Sequence, residues 1–157
     1  MDQPMRRFKQ QLSNEECLNI LSKQPRGILS LIDKEYPYSI PINYYFDRTN
    51  NKIYFHVALE GHKLDIIKEN NKACLTILDE GYKEANDWAY YFNSIVVLGD
   101  LSIVKDQELF VRELTNIGKK YIPTLEESLK AVSKHKDKVL ILEMSIKQIT
   151  GKHVHEK

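Results

Sequence analysis

The chain has 157 residues, a formal net charge of +1, and 42% hydrophobic against 29% charged residues, the balance of one ordinary globular domain (1–157) rather than of a disordered chain. Near-neutrality leaves no electrostatic footprint for non-specific nucleic-acid binding, and no apolar run approaches the roughly 20 residues of a membrane span. The two cysteines, Cys17 and Cys74, have no CxxC partner and read as buried reduced thiols of a cytoplasmic protein, while the N-terminal stretch MDQPMRRFKQQLS lacks the apolar segment of a signal peptide.

Ser13 and Glu16 form a capping box, and Cys17, Ile20 and Leu21 then recur at helical spacing until Pro25 and Gly27 end the helix. A short apolar strand is expected from Gly27 to Ile32, a turn over Asp33–Pro37, and a second strand from Tyr38 to Phe46, together a β-hairpin. Pro41 inside that second strand removes a ladder donor and marks an edge or a bulge. The polar turn DRTNNK leads to a third strand, Ile53–Val57, and a helix follows from about His62 to Glu69. The fourth strand is Ala73–Leu78, the segment Asp79–Asp87 is polar, and a long fifth strand runs from Phe92 to Val104 with a bulge expected at Gly99. Phe110, Leu114, Ile117 and Tyr121 form the stripe of a helix broken by Pro123. Thr124 and Glu127 cap another helix, Lys138–Ile146 is the sixth strand, and Lys152–Lys157 reads as a polar tail. Six strands with short hairpins and late helical insertions point to a mainly β, small antiparallel barrel rather than a doubly wound parallel sheet.

The junction Gly61-His62-Lys63, where a β-branched and aromatic strand turns into a helix, has the composition of an anion site. The N–H groups of a first helical turn carry partial positive charge, and Lys and His add donors. The bland alternative is a solvated first turn of a surface helix. In Tyr38–Phe46, alternation puts Ile40, Ile42, Tyr44 and Phe46 on one face and Ser39, Asn43 and Tyr45 on the other. The proline there leaves backbone groups for something else to satisfy, and a planar heterocycle would do so. Ser94 opens an apolar run and, on the residues alone, reads first as a strand-start serine. His153 and His155 on a terminal tail make a poor metal pair, so they and His135 are expected to be solvated and no metal site is expected. No Ser-His-Asp order, Gly-rich phosphate loop or zinc spacing is present.

Taken in order, the segments Tyr36–Tyr44 (YPYSIPINY), Ile53–His56 (IYFH), Glu60–Asp65 (EGHKLD), Ser94–Gly99 (SIVVLG) and Ile149–Lys152 (ITGK) resemble the pyridoxamine 5'-phosphate oxidase-like split-barrel flavoproteins, and within them the nitroimidazole-resistance branch. The match spans about residues 12 to 152. The resemblance implies a six-stranded antiparallel Greek-key split barrel that binds FMN and works as a homodimer with flavin at the subunit interface. By position, His62 and Lys63 would hold the FMN phosphate and the backbone of Pro41, Ile42, Asn43 and Tyr44 would meet the isoalloxazine ring. Phe55 and His56 would line the phosphate-side wall, and Ser94 would approach the flavin from the long strand, of the same or of the other subunit. Tyr44, Tyr45 and His56 would lie near the ring.

The implied activity is electron transfer to a small planar substrate, with NAD(P)H as a possible donor. The alternative is a flavin- or haem-binding module without turnover. Two positions depart from the pattern: Asp33-Lys34-Glu35 lacks a glycine, and Asn93 replaces a larger polar residue. The chain also ends soon after Gly151, without the C-terminal extension of true pyridoxamine phosphate oxidases, which argues against vitamin B6 oxidation.

Overall fold

The structure, a computed structural model, describes residues 6–155. The Ser13–Glu16 box opens α1 (Asn14–Lys23): the Glu16 N–H donates to Ser13 Oγ at 3.3 Å and the Ser13 N–H to the Glu16 carboxylate at 2.7 Å. The strands are β1 (Arg26–Ile32), β2 (Pro37–Asn43), β3 (Tyr45–Asp47), β4 (Lys52–Ala58), β5 (Lys72–Leu78), β6 (Tyr82–Lys83), β7 (Tyr90–Ile103) and β8 (Val139–His155). Between them lie α2 (His62–Glu69), α3 (Gln107–Tyr121) and α4 (Leu125–His135).

All pairings are antiparallel and the order is β2-β1-β5-β7-β8-β4-β3, with β6 beside β7. Strands β5, β7 and β8 form a meander and β4 returns to lie against β8, which is a Greek key. The two end strands of this order, β2 and β3, are separated in the chain by Tyr44 alone. The sheet must therefore curl until its first and last strands meet, and it closes there through the chain rather than through a ladder. This is a split barrel.

Among the described residues the count is eight strands rather than six. One of the two additional strands is the short β6. The other is β3, because the expected Tyr38–Phe46 strand changes partners midway: Pro37–Asn43 pairs with β1 and Tyr45–Asp47 with β4. The side-chain alternation survives this switch, with Tyr44 and Phe46 buried, so periodicity alone could not reveal it. Pro41 does lie on an edge strand, opposite Ile28. The bulge expected at Gly99 is present as a register shift between Leu98 and Gly99.

The last strand runs nine residues past its expected end. Gln148–His155 pairs with Leu98–Tyr91, so the supposed tail is strand as far as His155, and its last two residues lie outside the described ones. His153 is accordingly half-buried, its Nδ1 2.8 Å from Asn93 Oδ1, rather than solvated. His155 is likewise half-buried, stacked near Tyr91. Cys17 is buried as expected, whereas Cys74 faces the outer side of β5 and is half-buried.

Two apolar clusters hold the fold. The barrel interior is built from Leu29, Phe55, Leu75, Ile77, Ile95, Val97 and Leu142. A second cluster outside the wall packs Leu114 and Ile117 of α3 on Tyr54 and Ile141. Burying a side chain of this size contributes about 1.5–3 kcal/mol, enough for a few such residues to dock α3 firmly. That docking carries the C-terminal turn of α3 to the split.

Candidate functional site: the recess at the barrel split

Where β2 gives way to β3, the backbone of Tyr44 leaves both ladders. Its N–H donates to Tyr121 Oη at 2.9 Å, and its carbonyl accepts from Lys120 Nζ and from Tyr121 Oη, each at 2.8 Å. Lys120 Nζ also donates to the Gln24 carbonyl at 2.8 Å and stands 3.9 Å from the centroid of the Tyr44 ring. Burial lowers the Lys120 pKa to about 8. The Tyr44 phenol is buried and donates to the Leu21 carbonyl at 2.8 Å. Tyr44 is therefore consumed inside the protein, and neither its ring nor its polar backbone is free to meet a ligand.

The other three residues of that set do converge. Pro41, Ile42 and Asn43 line a shallow recess of about 330 Å³ together with His56 and Arg26. The strand β2 is hydrogen-bonded on one side only, so alternate N–H and C=O groups along it turn outward, toward whatever lies beyond the edge. Arg26 Nε donates to Asn43 Oδ1 at 2.9 Å, which fixes the amide and leaves its NH2 without a partner among the described residues. The sequence reading did not single out Arg26. It stands 17 residues from Asn43 and reaches it only through the β1–β2 register, in which Arg26 pairs with Asn43.

His56 and Phe55 part company, as neighbours on a strand must. Phe55 is fully buried in the barrel core, so its side chain does not line the recess. His56 points outward, one face open to solvent. Its pKa is lowered, first by burial and then by the positive charge of Lys63. The imidazole is thus neutral at pH 7, with one nitrogen donating and one accepting.

The Gly-His-Lys junction divides in the same way. Gly61 is the N-cap of α2 with φ 136°, a conformation that favours glycine. No side chain caps the first turn; the Leu64 N–H donates to the Gly61 carbonyl at 2.9 Å, and those of His62 and Lys63 are left available among the described residues. His62 turns toward the hairpin: its Nε2 is 2.8 Å from Asp33 Oδ2 and its ring meets Tyr38 edge-on at 5.0 Å. The surrounding recess also holds Glu35, Asp65 and Glu69, a poor environment for an anion. Lys63 lies on the other side, close enough to act on His56, and makes no hydrogen bond or ion pair among the described residues.

Ser94 is not brought to this place within one protomer. Pro41 is level with Ile28, Thr76 and Val96 across the sheet. Ser94 on β7 is three strands away, about 14 Å at the usual strand spacing. Among the described residues no three His, Cys, Asp or Glu side chains converge to hold a metal ion, and no helix is long and apolar enough to cross a membrane.

Comparison with known proteins fits this architecture. The family model described as pyridoxamine 5'-phosphate oxidase matches residues 13–153. No curated protein matches the sequence. Among solved structures, the chain is similar to a suggested 5-nitroimidazole antibiotic resistance protein from Bacteroides thetaiotaomicron, with TM-score 0.76 and 19% identity over 92% of this chain and 87% of that one. It is similar to the flavocytochrome Anf3 from Azotobacter vinelandii, with TM-score 0.78 and 20% identity over 95% of this chain and 71% of that one. It is also similar to an FAD-binding protein from Mycobacterium smegmatis, with TM-score 0.64 and 18% identity over 93% and 98% of the two chains. At these identities the likeness establishes the fold.

Proposed function

The chain belongs to the pyridoxamine 5'-phosphate oxidase family, and we propose that within it this protein is an FMN-binding flavoprotein that passes electrons to a small planar substrate, in the manner of the nitroimidazole-resistance type. The observation that carries the reading is the pairing of a cationic corner with a free sheet edge. Arg26 and His56 line a recess without a carboxylate among its lining residues, beside the outward backbone of Pro41–Asn43, and the positive charge of Lys63 acts on His56.

The residues fit the group. A phosphate dianion would be held by Lys63 and the uncapped first turn of α2, where a charge-assisted hydrogen bond and the helix dipole act together. Outward N–H and C=O groups of β2, with the Asn43 amide, match the imide-like edge of a flavin ring. His62, held by Asp33, orients the loop in this scheme. A bound flavin would supply the electron chemistry. The chain's own contribution is binding, orientation and a neutral imidazole at His56. Ser94, distant within one protomer, is proposed to face the flavin of a second copy, which makes the functional unit a homodimer.

Titration with FMN, followed by quenching of flavin fluorescence, tests the reading. Saturable uptake that weakens when Lys63 is replaced by alanine supports it. Uptake indifferent to Lys63 and to Arg26 would move the phosphate elsewhere. Reduction of bound FMN by NADH or NADPH with repeated turnover on a nitroimidazole separates the oxidoreductase from a binding module that holds flavin without turning it over.

A further inference from the structure

A second cavity opens on the far side of Asn43 and His56. It is a groove of about 360 Å³ between the helix pair α3–α4 and the barrel wall, within the range of small-molecule sites. Its body is apolar: Leu114 and Ile117 from α3, Val132 from α4 and Val139 from the start of β8. No carboxylate, lysine or arginine lines it. An ionic ligand would lose its hydration there with no counter-charge in return. Asn43 and His56 line both this groove and the recess beside Arg26, so the two spaces adjoin at those residues. At that junction Asn43 Oδ1 is already taken by Arg26, at 2.9 Å, and the amide NH2 is what remains to be satisfied.

We propose that this groove is the pocket for the small-molecule substrate: a neutral, flat molecule whose apolar body lies against Ile117, Val132 and Val139 and whose hydrogen-bond acceptor meets the Asn43 amide at the edge of the flavin recess. The inference deepens the flavoprotein reading and rests on it for the ligand's role, though not for its place of binding. It accounts for a feature that the cofactor leaves unused, namely a helix pair that packs on the barrel yet leaves an apolar gap above the split. It also gives a selection rule. Charge on the ligand should matter more than the details of its ring, because the groove offers shape and a few hydrogen-bonding groups (Asn43, His56, Tyr121 and His135) but no carboxylate, lysine or arginine as ion partner.

The test uses FMN-loaded protein with labelled methyl groups, and nitrobenzene and 4-nitrobenzoate as probes. Nitrobenzene is expected to shift the methyl signals of Leu114, Ile117, Val132 and Val139 saturably, with 4-nitrobenzoate weaker by about tenfold or more. Ala131→Trp, which fills the groove from α4, is expected to weaken nitrobenzene by about tenfold or more while leaving FMN affinity unchanged. Shifts confined to a separate recess, the one that Leu31, Ile32 and Leu98 line together with Lys72, Asp100 and Lys147, would overturn the proposal. So would equal binding of the anionic probe, or displacement of nitrobenzene by FMN. The methyl map of the unmodified protein decides the matter even if Ala131→Trp fails to fold. Repeating it without flavin separates the two readings. Groove binding in a protein that never takes up FMN sinks the cofactor reading alone, and FMN uptake with an unresponsive groove sinks this one alone.

Discussion

The hydroxyl of Tyr121 accepts the N–H of Tyr44 at 2.9 Å and lies 2.8 Å from the carbonyl of the same residue. One side chain on α3 thus serves both polar groups of the single residue at which the barrel is split. The backbone there has left the β1 ladder and not yet joined the β4 ladder; its carbonyl also accepts from Lys120 Nζ at 2.8 Å, so it is the part-buried N–H that would otherwise be unsatisfied. This clasp fixes the angle at which β2 ends, and with it Asn43, which the recess and the groove share.

Replacing Tyr121 with phenylalanine keeps the ring and removes the clasp. We expect a loss of about 1–3 kcal/mol, the cost of leaving a buried polar group unpaired, seen as a lower melting temperature. FMN affinity should fall as well, because Asn43 loses its fixed position. A variant as stable as the parent would show that solvent takes over the Tyr44 N–H, the carbonyl keeping Lys120.

At the anion corner, the two neighbours of the Gly-His-Lys junction should separate. Lys63→Ala is expected to weaken FMN binding by about 1.5–3 kcal/mol, the worth of a hydrogen bond to a charged group. His62→Ala should do much less directly, since His62 faces Asp33. Fluorescence titration of the two variants side by side reads the difference, and an equal loss in both would place His62 on the phosphate.

The pH dependence follows from His56, whose folded pKa lies below its ordinary value. Between the ordinary value near 6.5 and that lower folded value, the unfolded chain binds more protons than the folded one. Stability is therefore full above the ordinary value and declines as pH falls through this window. His56→Gln should flatten the decline. An NMR titration of the His56 ring should give a midpoint below that of a free imidazole, and FMN should move the midpoint upward as the phosphate offsets the Lys63 charge. A midpoint that ignores FMN would argue against a phosphate near Lys63.

At the bulge, Gly99→Val should be destabilising by about 1–3 kcal/mol, because a side chain there would run into the Ser145 carbonyl and Met144. Thermal unfolding measures it. A neutral result would mean that β8 can shift away from β7 at little cost.

Much of this architecture was legible in the sequence because its determinants are local. The Ser13–Glu16 cap, the helix from His62 to Glu69, Pro41 at an edge and the bulge at Gly99 each depend on residues within one turn or one strand. What escaped depends on partners. Tyr44 keeps the side-chain period while its backbone changes ladders, and period carries no information about partners. The segment Lys152–His155 is polar, yet it is strand because β7 is long enough to pair with it. Arg26 reaches Asn43 only through register. In the site, the sequence singled out the Gly61-His62-Lys63 junction and His56, but could not tell that Phe55 and Tyr44 would turn inward, or that Asp33 would engage His62.

The most direct test of the central claim is the visible absorption spectrum of the freshly purified protein, repeated after addition of FMN and removal of the unbound excess. A retained yellow chromophore with the spectrum of oxidised flavin, lost or weakened in Lys63→Ala, is the result predicted here. A colourless protein that retains no FMN after loading would contradict it.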